Sequence, residues 1–236
     1  MGTLAAHFAH NSNAECLGAF ESALHIAAKE IIFNHKALMI PPVKIKFRSG
    51  REDIVLIAER YIKFDSILVE AQVDEFRIDL LANVGEHKLA IEICVTHKVD
   101  DRKRRHLQNN GFSVLEIDLS SCTYDLAPEI LEKIVLNDVS NKSWLVNQKE
   151  VKAHEFLMRS AKTIKSKVFR GKGKLIECPL GFTGSNAIKG FVRFTDCAGC
   201  NYALGISGIN PEVNCIAGNK SLLAKIEKQH LKNSVR

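Results

Sequence analysis

FRIDLLANVGEHKLAIEICV, residues 76–95, reads as two apolar strands on either side of a tight turn, and each strand carries one acid in its interior. Phe76–Val84 and Lys88–Val95 are short runs rich in Ile, Leu and Val, and Gly85-Glu86-His87 between them has hairpin-loop chemistry. Asp79 and Glu92 are equidistant from the Gly85–Glu86 bond within that turn, so antiparallel pairing of the strands sets them side by side. A carboxylate inside a buried strand costs several kcal/mol unless it is paired, and two together repel. A divalent cation bridging the pair removes both costs. Magnesium or manganese suits such a site, taking oxygen ligands and leaving positions for water and phosphate. The alternative is a single buried acid hydrogen-bonded to backbone or to Arg77.

Outward from this hairpin the pattern continues. Residues 97–106 hold seven basic side chains, counting His97 and His106. Asp100 to Asn110 is a polar helix with acids at its start and Gly111 suited to its C′ position. FSVLEIDL (112–119) is a further strand, and PEILEKIVLN (128–137) a helix with proline at its start. Upstream, Leu17–Asn34 has helical spacing and Pro41-Pro42 ends that region, after which residues 43–47, 53–58 and 66–73 read as strands. Helix, antiparallel strands, helix and strand in that order predict an α/β (α+β) fold, a mixed sheet flanked by helices.

The motifs HFAH (7–10), FESALHIAAK (20–29), RID (77–79) and IEICVTH (91–97), in this order over about half the chain, resemble the PD-(D/E)xK nuclease superfamily and its CoiA-like competence protein group. The resemblance implies a restriction-endonuclease-like αβββαβ core and cleavage of DNA. It implies Mg²⁺ or Mn²⁺ on Glu21, Asp79 and Glu92, with the carbonyl of Ile93 or Cys94 completing the ligands. Glu21, His25 and Lys29 share one face of the first helix. The lysine that such nucleases carry two residues after the glutamate is Cys94 here, and a thiol does not replace an ammonium beside a phosphate. Lys29 or Lys98 is the candidate substitute, Lys29 the preferred one; Cys94 is alternatively a small buried side chain. His97 follows the strand, preceded by Thr96, and is placed to contact a phosphate or assist proton transfer. Lys98, Arg102 and Arg105 are candidate phosphate contacts. His7, His10 and Cys16 are too few for a metal site and read as packing or substrate contacts.

Charge divides unevenly. Residues 1–150 carry 18 Lys and Arg against 22 Asp and Glu, whereas residues 151–236 carry 15 against 5. A basic C-terminal third fits a polyanion partner, most simply DNA, single- or double-stranded. A helix over Gln148–Phe169 followed by RGKGK (170–174) as a flexible basic linker or loop places the expected boundary near 170, giving domains 1–170 and 171–236. Within the second, Cys178, Cys197, Cys200 and Cys215 are separated by 18, 2 and 14 intervening residues. That spacing predicts a structural zinc in a small zinc-ribbon-like β domain, followed by a final helix near 220–232. Lys172, Lys174 and Arg193 surround it as candidate nucleic-acid contacts.

No apolar run is long enough to suggest a membrane span. MGTLAAHFAH lacks the basic and apolar regions of a secretion signal, so a cytoplasmic, reducing location is expected, with the seven cysteines as thiols or metal ligands. The expected activity is a metal-dependent deoxyribonuclease. The alternatives are a nuclease fold that binds DNA without cutting it, in DNA uptake, recombination or phage defence, or a protein-interaction subunit.

Overall fold

Leu24, Ala28 and Ile32 recur at helical spacing and are buried, which turns one side of helix α1 (Asn13–His35) against the core. The computed structural model describes residues 13–45, 53–123, 126–185, 188–200, 202–207, 209–219 and 221, with side chains from Ala23 onward. After α1 come strands β1 (Ala37–Ile40), β2 (Val43–Ile45), β3 (Ile54–Ile57), β4 (Arg60–Lys63), β5 (Ser66–Val73), β6 (Phe76–Val84) and β7 (His87–Cys94). Helix α2 (Asp101–Asn109), β8 (Ser113–Asp118), α3 (Pro128–Leu136), β9 (Lys142–Val146) and α4 (Gln148–Ser160) follow. The chain then forms β10 (Lys162–Lys165), β11 (Lys167–Phe169), β12 (Gly173–Glu177), β13 (Phe191–Val192), α5 (Phe194–Ala198), β14 (Ala203–Ser207), β15 (Glu212–Cys215) and one 3₁₀ turn (Ile216–Gly218).

The chain divides into two compact units, one of residues 1–41 and 59–148, the other of residues 42–58 and 149–236. The first is built on a mixed sheet in the order β5-β6-β7-β8-β9, antiparallel except where β8 runs parallel to β7. Helix α2 makes the crossover between those parallel strands. Asp100 caps it, accepting from Lys103 N–H at 2.8 Å, and Gly111 at φ +79° supplies the left-handed step after its end. Leu80, Leu89, Ile91, Leu115 and Ile117 join Leu24, Ala28 and Ile32 of α1 and Leu131 and Val135 of α3 in one apolar cluster. Strand β7 is buried from Leu89 to Cys94, so Glu92 lies inside, 5% exposed.

The hairpin β6–β7 has the register expected from its turn. Leu80 pairs with Ile91 and Val84 with His87, around Gly85 at φ +57°. The next position outward sets Asp79 opposite Glu92.

The second unit contains the β2–β3 hairpin, α4 and two three-stranded antiparallel sheets, β10-β15-β14 and β11-β12-β13. Several expectations change here. Helix α4 stops at Ser160 rather than reaching Phe169, because Lys162–Lys165 pairs with Glu212–Cys215, a partner some fifty residues away. Of linker and loop, RGKGK is the loop, the tight turn of the β11–β12 hairpin: Gly171 and Gly173 take φ near +72° and +79°, and Lys172 N–H donates to Phe169 O. The division falls at 148/149, not near 170, since Leu157 of α4 packs with Ile45, Ile54 and Ile216 of the second unit. The helix expected near 220–232 lies outside the described residues apart from Ser221. No helix among the described residues is long and apolar enough to cross a membrane.

Candidate functional site

At the outer end of the β6–β7 pairing the two strands exchange a side chain instead of a ladder bond. Asp79 Oδ2 accepts the N–H of Ile93 at 2.8 Å and lies 3.0 Å from Nε2 of His25 on α1. Burial raises the pKa of the Asp79 carboxyl, but the bonds from His25 and Ile93 and the nearby charges of His25 and Lys29 outweigh it and hold the group below its ordinary value. Asp79 therefore stays ionised.

Glu70, which sequence reading passed over, is the third member of this cluster. Its place on β5 is opposite Asp79, since Val69 pairs with Leu80 and Ala71 with Ile78. It adopts φ +54°, a left-handed conformation that costs a non-glycine residue about 1 kcal/mol, and such distortion inside a strand gathers at functional positions. Lys29, 7% exposed, and Arg77 both pair with its carboxylate. Burial alone would raise Glu70; these two cations bring it below its usual range. Ligand atoms of His25, Glu70 and Asp79 lie within 4.8 Å of one another, and no other set of three or more His, Cys, Asp or Glu does so among the described residues.

Glu92 sits next to this cluster in the sheet but answers to a different partner. Lys103, on α2, reaches both of its oxygens at 2.7 Å and donates to Oε2 and to the carbonyl of Arg77, while Oε1 is buried without a hydrogen bond. Burial is the largest influence and pushes the Glu92 carboxyl up to about 7; Lys103 opposes this and Asp79 adds to it. The donor set fits a hard divalent ion: carboxylate oxygens with one imidazole, and one carboxylate oxygen with an unused acceptor position. As they stand, Glu70 pairs with Lys29 and Arg77, Asp79 with His25, and Glu92 with Lys103, so each carboxyl group already has a basic partner. A divalent ion entering here displaces an ion pair, and the Arg77 side chain, 70% exposed, is the one most readily released.

The remaining predicted residues are distributed differently. Glu21 is on α1, in the part whose side chains are not described, and His7 and His10 lie outside the described residues. Of the helix face Glu21, His25 and Lys29, the latter two do meet the strand acids. Cys94 is buried at the end of β7. His97 is exposed, its Nδ1 2.7 Å from Thr96 Oγ1, and is not part of the His25–Glu70–Asp79 set. Arg102 pairs with Glu75 at 2.9 Å over the ring of Phe76, and Arg105 donates to the carbonyl of Asp101. The residue of that basic run that turns inward is Lys103, not the arginines.

In the second unit, Cys178, Cys197, Cys200 and Cys215 line one cavity of about 300 Å³, closed by Ile176, Val192 and Val213. Burial, reinforced by the other three thiols, pushes Cys197 up to about 12. Burial also raises Cys215, against the backbone N–H groups of Ala217 and Gly218 that bond its sulfur. Four soft donors around one cavity, with peptide N–H groups aimed at a sulfur, fit tetrahedral zinc. No three of the sulfurs lie mutually within 4.8 Å, so the four do not form the closed tetrahedron of ~3.8 Å edge that ~2.3 Å Zn–S bonds require. Comparison with family models, with characterised proteins and with solved structures gave no match.

Proposed function

We propose that the chain is a metal-dependent nuclease that hydrolyses DNA phosphodiesters. The first unit carries the chemistry, and the second, stiffened by zinc on Cys178, Cys197, Cys200 and Cys215, holds the nucleic acid. The observation that carries this reading is the meeting of His25, Glu70 and Asp79 beside the buried Glu92, on a mixed sheet whose strands β5, β6 and β7 are followed by α2 and β8. The resemblance to the PD-(D/E)xK group implies a helix, three strands, a helix and a strand, and α1, β5 to β7, α2 and β8 are the elements we assign to it, with β1 to β4 as additions; a zinc-ribbon-like second unit is part of the same reading.

Asp79, Glu70 and Glu92 hold Mg²⁺ or Mn²⁺ in this scheme, with Glu21 on the same helix as His25. When bound, the ion lowers the pKa of a coordinated water and neutralises the phosphate. Ile93 N–H and His25 fix the Asp79 carboxylate, so its lone pairs keep one direction. Lys103 supplies, from α2, the ammonium that position 94 does not carry, and Lys29 supplies a second beneath Glu70. Burial of Glu92 near neutral pKa lets it ionise as a cation arrives.

The test is cleavage of single- and double-stranded DNA by the purified chain with Mg²⁺ or Mn²⁺. Asp79→Asn and Glu92→Gln should each lower turnover at least a hundredfold. If both variants cut as the parent does, the assignment of the site is wrong.

A second reading is a nuclease fold kept for binding alone. The buried Cys94 and the carboxylates already paired with Lys29, Arg77, His25 and Lys103 favour it. Salt-dependent DNA binding with no turnover under either metal would select it.

A further inference from the structure

Three cations that the sequence offers as separate candidate nucleic-acid contacts converge in the fold. Lys172 in the β11–β12 turn, Lys174 on β12 and Arg193 just before α5 line one cleft of about 650 Å³, together with Phe194, Ile206 and Ile209. No lining residue is acidic. Lys174 is held in place, its Nζ donating to Asn210 Oδ1 at 2.6 Å and to the carbonyl of Ile209 at 3.3 Å. That contact ties the β12 wall to the β14–β15 turn and leaves one of its three N–H groups to give.

Apolar groups share the cleft with these charges. Phe194 is 45% exposed and Ile209 is 96% exposed. A solvated ring beside cations is the pairing that single-stranded nucleic acid requires: backbone phosphates take the charges, and an unstacked base covers the ring. A duplex offers phosphates but keeps its base faces covered by neighbouring bases. An acidic peptide offers charges and has no flat face for Phe194.

We infer that this cleft is a binding site for single-stranded nucleic acid, with phosphates on Lys172, Lys174 and Arg193 and a base on Phe194. The inference rests on the nucleic-acid half of the function proposed above and not on its metal chemistry.

The experiment measures fluorescence anisotropy of labelled oligo(dT) and oligo(U), a duplex of equal length and poly-glutamate, with the full chain and no added Mg²⁺ or Mn²⁺. Single strands should bind at least tenfold tighter than the duplex. Phe194→Ala should weaken single-strand binding about tenfold and leave duplex binding unchanged, while Phe194→Trp restores it. Lys172→Gln with Lys174→Gln should reduce the slope of log K against log salt by about 1.4, two contacts at about 0.7 each. All substituted side chains are exposed, and circular dichroism of each variant checks that it is folded. Equal binding of duplex and single strand, an unchanged affinity in Phe194→Ala, or equally tight poly-glutamate binding would each overturn the inference. Loss of cleavage in the Asp79 variant with oligo(dT) binding intact bears on the nuclease reading alone; loss of binding in the Phe194 variant bears on this one.

Discussion

The two units assemble charged groups by opposite means. In the first, anions and cations are interleaved: Glu70 with Lys29 and Arg77, Glu92 with Lys103, Asp79 with His25, all fixed by strand register and the helices beside it. In the second, like is set beside like. Four thiols surround one cavity and three cations line another, with no acid in either lining except Asp196 at the thiol cavity. Interleaved charges find their partners inside the free protein. The ligand expectations differ accordingly: a hard ion that must displace an internal cation in the first unit, and in the second a soft ion that displaces thiol protons and a polyanion that meets cations without acidic neighbours.

The largest effect that would break this contrast lies in the thiols. Cys197→Ser should remove one equivalent of zinc per chain and abolish protection from hydrogen exchange across β10–β15, while the exchange of β6 to β8 stays as in the parent. Equal protection in both units, with or without zinc, would mean the thiols are ordinary core.

A smaller effect sharpens the account of the first unit. Glu92 has its pKa raised from 4.5 to about 7 by burial. The folded chain therefore binds more protons than the unfolded one between those values, and stability falls as pH rises through that window, by up to about 3 kcal/mol at its completion above pH 7. Glu92→Gln should melt at the parent's temperature near pH 4 and above it at pH 8 without divalent ions. Added Mn²⁺ should recover the parent's stability at pH 8 and leave the variant where it was. A parent whose melting temperature is flat across this range would contradict the burial argument.

The smallest effect concerns Arg77. Its pair with Glu70 is largely exposed and worth about 1 kcal/mol or less. Arg77→Ala should tighten Mn²⁺ binding in calorimetry a few-fold, because a competing cation is gone. Weaker binding would show that Arg77 supports the ion's ligands instead of competing with them.

Much of this was legible in the sequence where partners are close along the chain. A two-residue turn fixes its register, so Asp79 and Glu92 followed from the position of Gly85. The same rule applied to the turn at Asp74-Glu75 places Glu70 opposite Asp79, but SILVEAQV reads as an ordinary half-exposed strand and draws no notice to its acid. Lys103 was hidden for another reason: four consecutive basic residues give no phase for α2, and only packing decides which one turns inward. The second unit was least legible, because β10 finds its partner at 212–215 and no local pattern announces that. The cleft residues were visible as basic and aromatic; their meeting was not.

The β2–β3 hairpin has a consequence for how the protein is made. Its inward residues Ile45 and Ile54 are covered by Leu157 and Ile216, which leave the ribosome long after them. Until the last part of the chain emerges, Ile45 and Ile54 lack the side chains that cover them in the finished fold, although the first unit's sheet is complete once Val146 has been made. The newborn protein thus carries a sticky handle through most of its synthesis, an opening for chaperones and for mispairing that ends when residue 216 arrives.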